Sequence, residues 1–470
     1  MMQLRARQIC TVSLYMIMVL FFFPARCRAQ ETSTSSTRSP GDGTEAPATG
    51  KVLKLDDAIR IALESQPRIK ASEQRIRARQ ALLGQAKSAY YPTVSFNNAY
   101  RSSTSSGTTK TSIKAFDFVS SAASMNWTIY NFGRREGTVQ EAKDNLESER
   151  FATQTTTEEV ILGVKQAYYR YLQAKALVRV REDTVKDREW LVRRAKGFFE
   201  VGTRAKIEVA RAEAGLFSAK ANLIAAENGV KIGWAELKNT MGVNKLAVQP
   251  LAEEALLEKP LISLTEQMAI HKPVMSLAKA LRAAYATRPE LRDFESQRKA
   301  QDSAIATARR SHLPEILFNA SYGRRQSSTR NDGGAFPLSV NWSVQVNVNI
   351  PIFSGFDTTY KVEEALRNYH EVRALEEKTR QRIALEVERS YLNLIEVGER
   401  IKATEAAVRS GQENQDLANG RYRVGVGSII EITEAQVIFT EAQTNHIQSI
   451  TDYKIAEAEL AKALGQGNVP

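Results

Sequence analysis

The chain has 470 residues, 43% hydrophobic and 25% charged, with 65 Lys and Arg against 53 Asp and Glu for a net charge of +12. So mild an excess, scattered along so long a chain, excludes the basic patch that nucleic-acid binding requires. Its two cysteines are Cys10 and Cys27, which excludes a disulfide framework for everything beyond them; a chain of this size buries enough surface without one.

Taken in order, Arg5 and Arg7 precede an apolar run from Ile9 to Phe23, and Cys27-Arg28-Ala29 ends in a small residue. The pattern predicts a signal peptide over residues 1–29, its apolar core too short for a spanning helix. A lipid anchor on Cys27 would want a small residue where Arg26 stands. The segment carries four arginines and no acid, so the remainder has a charge of 12 − 4 = +8. Residues 30–50, rich in Ser, Thr, Pro and Gly, are expected to be a disordered polar lead.

Beyond this point the chain repeats itself. Pro67 and Pro289 are 289 − 67 = 222 apart, as are Pro92 and Pro314, and Gly133 and Gly355. Val164, Tyr168, Gly202 and Glu208 return as Val387, Tyr391, Gly425 and Glu431, now 223 apart. A period this long exceeds the ~20–50 residues of a solenoid. It predicts two copies of one structural unit, repeat 1 over 51–242 and repeat 2 over 276–465, with a linker at 243–275 and a tail at 466–470.

No proline falls between 93 and 249 or between 352 and 469, and both tracts are rich in helix formers. Helices are predicted over about 134–196, 206–241, 356–419 and 429–464, with breaks at 197–202 and 420–427. Ala384, Val387, Tyr391, Leu394, Gly398 and Ile401 step by 3 and 4, the spacing of a coiled-coil seam. Its copy is Ile161, Val164, Tyr168, Tyr171 and Val178, with Lys175 in the place of Gly398. At ~1.5 Å per residue the longer helices reach roughly 95 Å, beyond an ordinary globular core.

Four segments alternate instead. Leu338, Val340, Trp342, Val344, Val346, Val348 and Ile350 are interleaved with Ser339, Asn341, Ser343, Gln345, Asn347 and Asn349. Val119 to Ile129 does the same through Trp127, and shorter stretches follow Pro92 and Pro314. Strands are predicted at about 92–102, 116–131, 314–323 and 337–352. One apolar and one polar face suits an outer-membrane barrel, with Trp127, Trp342, Val344 and Val346 toward lipid; a soluble sheet with one wet face is the competing reading. Four strands left open in lipid would strand unpaired backbone groups. Two chains would give eight strands and a filled interior, three would give twelve and a lumen.

Little in the chain points to reaction chemistry. It has no phosphate-binding Gly-x4-Gly-Lys-Ser/Thr loop, and His271, His312, His370 and His446 have no metal-ligand or nucleophile spacing. His312, ahead of Pro314, is the sole hint of a hydrolase. Met241, Met268 and Met275 are soft copper ligands in principle, but their irregular spacing fits core filling. No catalytic residue, metal or cofactor is expected. Glu431 and Glu434, at i and i+3 after Ser428, lie on one helix face. Beside an N-cap serine they serve the helix dipole.

Tyr91-Pro92, Leu313-Pro314, Asn131-Phe132-Gly133, Phe353-Ser354-Gly355, Val201-Gly202 with Ile207-Glu208-Val209, and Tyr422 to Gly425 with Ile430 to Gln436 together resemble the TolC-like outer-membrane efflux and secretion channels, over about 53–465. The resemblance implies a mixed α and β fold: a homotrimer with a twelve-stranded outer-membrane β-barrel, four strands per chain, continued by a periplasmic α-helical coiled-coil barrel. The 243–275 linker and the chain ends would form an equatorial belt. It implies a passive exit duct, working with a periplasmic adaptor (membrane fusion) protein and an inner-membrane RND, ABC or MFS pump. It further implies that Glu431 and Glu434 face the pore mouth, and that Glu208 and Tyr422 link neighbouring helices and hold the entrance shut. The chain departs from the family where a basic residue is expected near the second tip: Gly427 stands there, with Arg204 or Arg423 as the available substitutes. A non-pore periplasmic coiled-coil adaptor is the rival function; it explains the helices and leaves the strands unexplained.

Overall fold

The computed structural model describes residues 53–106, 113–243, 275–329 and 338–466. The expected signal segment, the polar lead, nearly all of the 243–275 linker with Met268 and His271, and the tail after 466 lie outside these residues. Among the described residues the first half reads α1 (Leu55–Ser65), α2 (Pro67–Ser88), β1 (Thr93–Ser106), β2 (Ile113–Tyr130), α3 (Arg134–Glu200) and α4 (Lys206–Met241). The second reads α5 (Leu277–Thr287), α6 (Pro289–Arg309), a 3-10 turn (Arg310–His312), β3 (Glu315–Thr329), β4 (Ser339–Asn349), α7 (Asp357–Arg423) and α8 (Ile429–Ala463). Apart from the turn, the two orders are the same.

Local chemistry sets the breaks. Pro67 and Pro289 each stand at the first helical position, and the residues before them, Gln66 and Arg288, are extended at ψ 120° and 124°; a residue ahead of proline is pushed out of the helical region. The strand-to-helix turns need two successive left-handed residues, Phe132 (φ 53°) with Gly133 (φ 86°), and Gly355 (φ 61°) with Phe356 (φ 67°). A phenylalanine there is strained, and a second aromatic backs each one: Tyr130 lies 4.8 Å from Phe132 and Phe353 5.5 Å from Phe356.

α3 and α7 are 67 residues each, about 100 Å at 1.5 Å per residue. They outrun the expected ends at 196 and 419, because Gly197 and Gly420 sit inside the helices and the later glycines do the capping. Gly202 (φ 74°) and Gly425 (φ 86°) take the left-handed conformation, and Thr203 and Val426 then donate to the carbonyls of Phe198 and Arg421 at 3.0 and 3.1 Å, the C-cap geometry in which glycine is favoured.

Each half has its own core. Ala58, Ala62, Ile69, Val160, Val164, Tyr171, Leu237 and Met241 pack in the first; Ala280, Ala284, Leu291, Ile383, Val387, Leu394, Val397, Ile401, Tyr453 and Leu460 pack in the second. The expected seam is corrected here. Ile383 is buried and Ala384 only half-buried, Tyr168 is half-buried, and Ala176 and Val180 rather than Val178 are buried. The reason is that α7 is flanked by α5 and α6 on one side and α8 on the other, so its buried stripe follows two contacts rather than one coiled-coil partner.

The four strands form one antiparallel sheet in the order β1-β2-β3-β4. β1, β2 and β3 run past the expected ends toward the hairpin tips, and β4 stops at Asn349. Directly opposed residues share a face. The register opposes Val94, Met125, Ala320 and Val344 in one row and Phe96, Ala123, Tyr322 and Trp342 in the next. Trp127, Phe318 and Val346 form the row below. All four apolar faces are therefore on one side. The strict alternation expected through Ile129 fails at the end of β2: a bulge between Thr128 and Tyr130 leaves Ile129 unpaired and brings Tyr130 opposite Ile316.

Candidate functional site

Two regions carry the predicted functional residues. The first is the apolar side of the sheet. Trp342 is 74% exposed, Val344 58% and Val346 61%. Trp127 shares their face but is 37% exposed, with its indole N–H donating to the Tyr90 carbonyl at 3.0 Å. A tryptophan with an apolar body and a satisfied polar tip fits a membrane boundary. The opposite face is hydroxyl and amide. Ser95, Ser124, Ser321 and Ser343 line up in one row, with Oγ contacts of 2.8 Å between the outer pairs.

The second region is where the helical hairpins α3–α4 and α7–α8 turn. Leu191, Ala195, Ala212, Tyr422, Ile429 and Ile432 pack into one small core there. Tyr422 is fully buried, and its hydroxyl donates to Glu208 Oε2 at 3.4 Å, longer than a strong O–H···O bond. Burial first, then the charge and hydrogen bond of Glu208, push the phenol up to about 12, so it stays a donor at any physiological pH. Arg204 makes the shorter contacts. It donates to the carbonyls of Gly425 and Gly427 at 2.9 and 2.8 Å and to Glu208 at 3.3 Å, over the Tyr422 ring. Of the two arginines left open by the sequence, Arg204 is the one that bridges the hairpins. Gly427 itself is forced: a Cβ there would meet the Tyr422 amide nitrogen at 2.9 Å.

Glu431 and Glu434 start α8. Ser428 caps that helix by accepting from the Glu431 amide at 3.1 Å. The Glu431 carboxylate is paired with Arg421 at 2.8 Å, whereas Glu434 is exposed and has no ion pair among the described residues. The two carboxylates are therefore not equivalent, and Arg421 is the partner that spacing alone did not reveal, because it lies across the turn on the other helix.

The remaining candidates disperse. Met241 is in the first core and Met275 packs on the second, so they share no site. His312 is exposed in the 3-10 turn, and His446 contacts Thr404 Oγ1 at 3.1 Å. Among the described residues no group of three or more His, Cys, Asp or Glu is placed to hold a metal, and no helix is long and apolar enough to cross a membrane.

With a long helical hairpin pair and a one-sided apolar sheet in view, the comparisons are decisive. Residues 58–243 and 280–466 match the family described as outer membrane efflux protein. The chain belongs to that family. The two matched stretches start 280 − 58 = 222 residues apart, the offset read from the prolines. Family members are non-enzymatic ducts of the outer membrane that extend into the periplasm, and this chain is one of them. It is similar to the protein CyaE of Bordetella pertussis, 24% identical over 88% of this chain and 84% of that one. It is also similar to the probable efflux pump outer membrane protein TtgC of Pseudomonas putida, 26% identical over 72% of this chain and 66% of the other. Among solved structures, the CmeC outer membrane channel of Campylobacter jejuni superposes with a TM-score of 0.73 at 16% identity, covering 91% of each chain. That likeness supports the fold.

Proposed function

We propose that three copies of this chain form the exit duct, that the polar face of the sheet lines it, and that the hairpin tips close it. The register carries this reading. It puts every apolar strand face on one side and leaves β1 and β4 as edges. In lipid such edges must be paired, and twelve strands are the smallest multiple of four that leaves a lumen. The equal order of elements in the two halves supports a duplicated unit and six quasi-equivalent hairpins around the axis.

At the mouth, Arg204, Glu208 and Tyr422 tie one hairpin to the other, and Glu434 with the Arg421–Glu431 pair faces the opening. Opening requires the two Arg204–carbonyl bonds to break. Energy and cargo come from partners, as the name of the Pseudomonas putida relative associates it with an efflux pump. We carry that association to this chain: a periplasmic adaptor and an inner-membrane pump deliver small molecules or proteins to the tips. Outer-membrane fractions should contain a heat-modifiable trimer that conducts ions in planar bilayers. A monomer, or a trimer without conductance, would overturn the reading.

A further inference from the structure

The polar face of the sheet changes character along the strands. From the row of Thr93 and Asn126 to the row of Asn97 and Asn341, no side chain on it is charged. Two arginines then follow in successive rows. Arg325 stands opposite Ser120 and Ser339, and Arg101 stands opposite Phe118. The Arg325 guanidinium lies 4.7 Å from the centroid of the Phe118 ring, a contact that steadies the cation and leaves its N–H groups for another partner. Both arginines are exposed, and among the described residues neither side chain makes an ion pair or hydrogen bond. The acid beside Phe118, Asp117, belongs to the other face, where Tyr100 donates to it at 3.0 Å. Arg324 belongs to that other face too, opposite Ser121 and Val340.

Arg101 and Arg325 lie toward the ends of β1 and β3 that are remote from the helices, since α3 follows the Tyr130 end of β2 and α7 the Asn349 end of β4. The helices extend into the periplasm, so the arginines mark the outer mouth. Among the described strand residues the one acid on their face is Glu315, which is 325 − 315 = 10 residues down β3 and paired with Arg134 at 2.6 Å. At ~3.4 Å per residue that is about 34 Å away, several times the Debye length of ~10 Å at 0.1 M, so it does not neutralise the mouth. Twelve strands spaced ~4.8 Å and tilted about 40° enclose a circumference of about 75 Å. Two arginines from each of three chains are then about 12 Å apart, near one Debye length, and their fields overlap.

We propose that Arg101 and Arg325 form an anion-binding ring at the outer mouth, a site for small solutes that carry several phosphate-type negative charges. The inference rests on the reading that the polar face lines a three-chain duct. A guanidinium offers paired N–H donors to phosphate oxygens. Attraction also grows with the charge of the solute, so multivalent anions occupy the ring in preference to chloride. Filled from outside, the ring obstructs the exit; approached from within, it draws anionic cargo past the neutral rows.

One-sided block of conductance tests the ring. Full-length protein added to one side of a planar bilayer leaves its helices on that side, because long charged helices do not cross lipid, and the outer mouth faces the opposite chamber. Inorganic triphosphate in that opposite chamber should reduce wild-type conductance at about 0.1 M salt. Raising the salt to about 1 M, where the Debye length is ~3 Å, should relieve the block. Arg101→Gln with Arg325→Gln should raise the half-blocking concentration roughly tenfold or more, and lysine at both positions should keep most of the block. Arg324→Gln, on the apolar face, should leave it unchanged. A conducting wild type that triphosphate blocks no better than the double glutamine variant, or equally from both chambers, overturns the ring and leaves the duct standing. Loss of block in Arg324→Gln overturns it as well. A wild type without conductance overturns the duct reading, and the ring with it. Sidedness and salt relief are read on the wild type alone, so they decide the matter even where the double variant fails to assemble.

Discussion

Where α1 meets α2, Gln66 fills the junction by donating to the Thr240 carbonyl at 2.7 Å. At the corresponding junction of α5 and α6 stands Arg288, its side chain fully buried, paired with Glu290 at 3.1 Å and with Glu386. Lys462 reaches the same Glu386 at 2.7 Å. Its first-half counterpart is Asn239, and that of Glu386 is Gly163. One backbone arrangement is thus held by amides in one half and by buried ions in the other. The helix geometry does not demand either solution. What differs is the cost of disturbance: a lost amide bond is replaced by water, whereas a buried ion without its partner has nowhere to put its charge.

The sharpest way to break this contrast is to neutralise both junctions. Arg288→Met should cost about 3–5 kcal/mol, since it takes the only ion-pair partner among the described residues from the largely buried Glu290 and leaves Glu386 with Lys462 alone. Gln66→Met should cost about 0.5–1.5 kcal/mol, one ordinary hydrogen bond. Unfolding in denaturant followed by helical circular dichroism measures both, and equal losses would show that the ionic junction is no more demanding than the amide one.

In the sheet the halves should behave alike. Met125 of β2 and Val344 of β4 both oppose Ala320 in one row. Val344→Arg and Met125→Arg should each cost about 2–4 kcal/mol if that row lies at mid-bilayer, while Ser343→Arg and Ser124→Arg leave assembly intact. Trimer yield in outer-membrane fractions is the measure. Tolerance of arginine on the apolar row would sink the assignment of faces.

At the tips the asymmetry returns, because Arg204 of the first half corresponds to Gly427 of the second (204 + 223). Arg204→Ala removes two charge-assisted bonds to carbonyls, each worth about 1.5–3 kcal/mol at most, and should give longer or larger single-channel openings. Tyr422→Phe removes only the 3.4 Å contact to Glu208 and should change gating less. A larger effect from Tyr422→Phe would move the closing contact away from Arg204.

Much of this architecture was legible because its signals are periodic. Proline positions set the α1–α2 and α5–α6 junctions, alternation marked the strands, and the 222-residue offset paired the halves. What escaped had no local signature. The Ile129 bulge depends on how β2 meets β3, not on β2. The seam shifted from Ala384 to Ile383 because two neighbours compete for α7. Arg204 could not be chosen over Arg423 without knowing which arginine faces the Gly425 and Gly427 carbonyls. Glu158 was invisible as well, being one acid among many on α3.

Glu158 is also where the two halves touch electrostatically, and it carries the smallest predicted effect. It belongs to α3, yet it is buried facing the second half's ions, and among the described residues neither carboxylate oxygen has a hydrogen-bond partner in bonding geometry. Burial first, then the charge of Glu290, raise its pKa, against the opposing pull of Arg288, Lys462 and Gln154. Glu386 shifts the other way: burial would raise it, but the Lys462 hydrogen bond and the Arg288 charge prevail and hold it low. Two cations, Arg288 and Lys462, thus serve three carboxylates, and Glu158 is the one left over. An acid whose pKa is raised on folding keeps its proton in the folded state after the unfolded chain has lost it. Its contribution to stability therefore falls as pH rises from the ordinary carboxylate value, 4.5, through the folded value. Glu386, depressed, contributes the opposite slope, its stabilisation lost as pH falls below the ordinary value. Glu158→Gln should remove the first slope and spare the second. At neutral pH the variant should be more stable by roughly 1 kcal/mol, the lower end of the cost of an unsatisfied buried group. Thermal unfolding between pH 4.5 and 8 would show it: the wild type loses stability toward neutral pH relative to the variant, and parallel curves would mean that Glu158 is already compensated, leaving the ionic junction electrically closed within the second half.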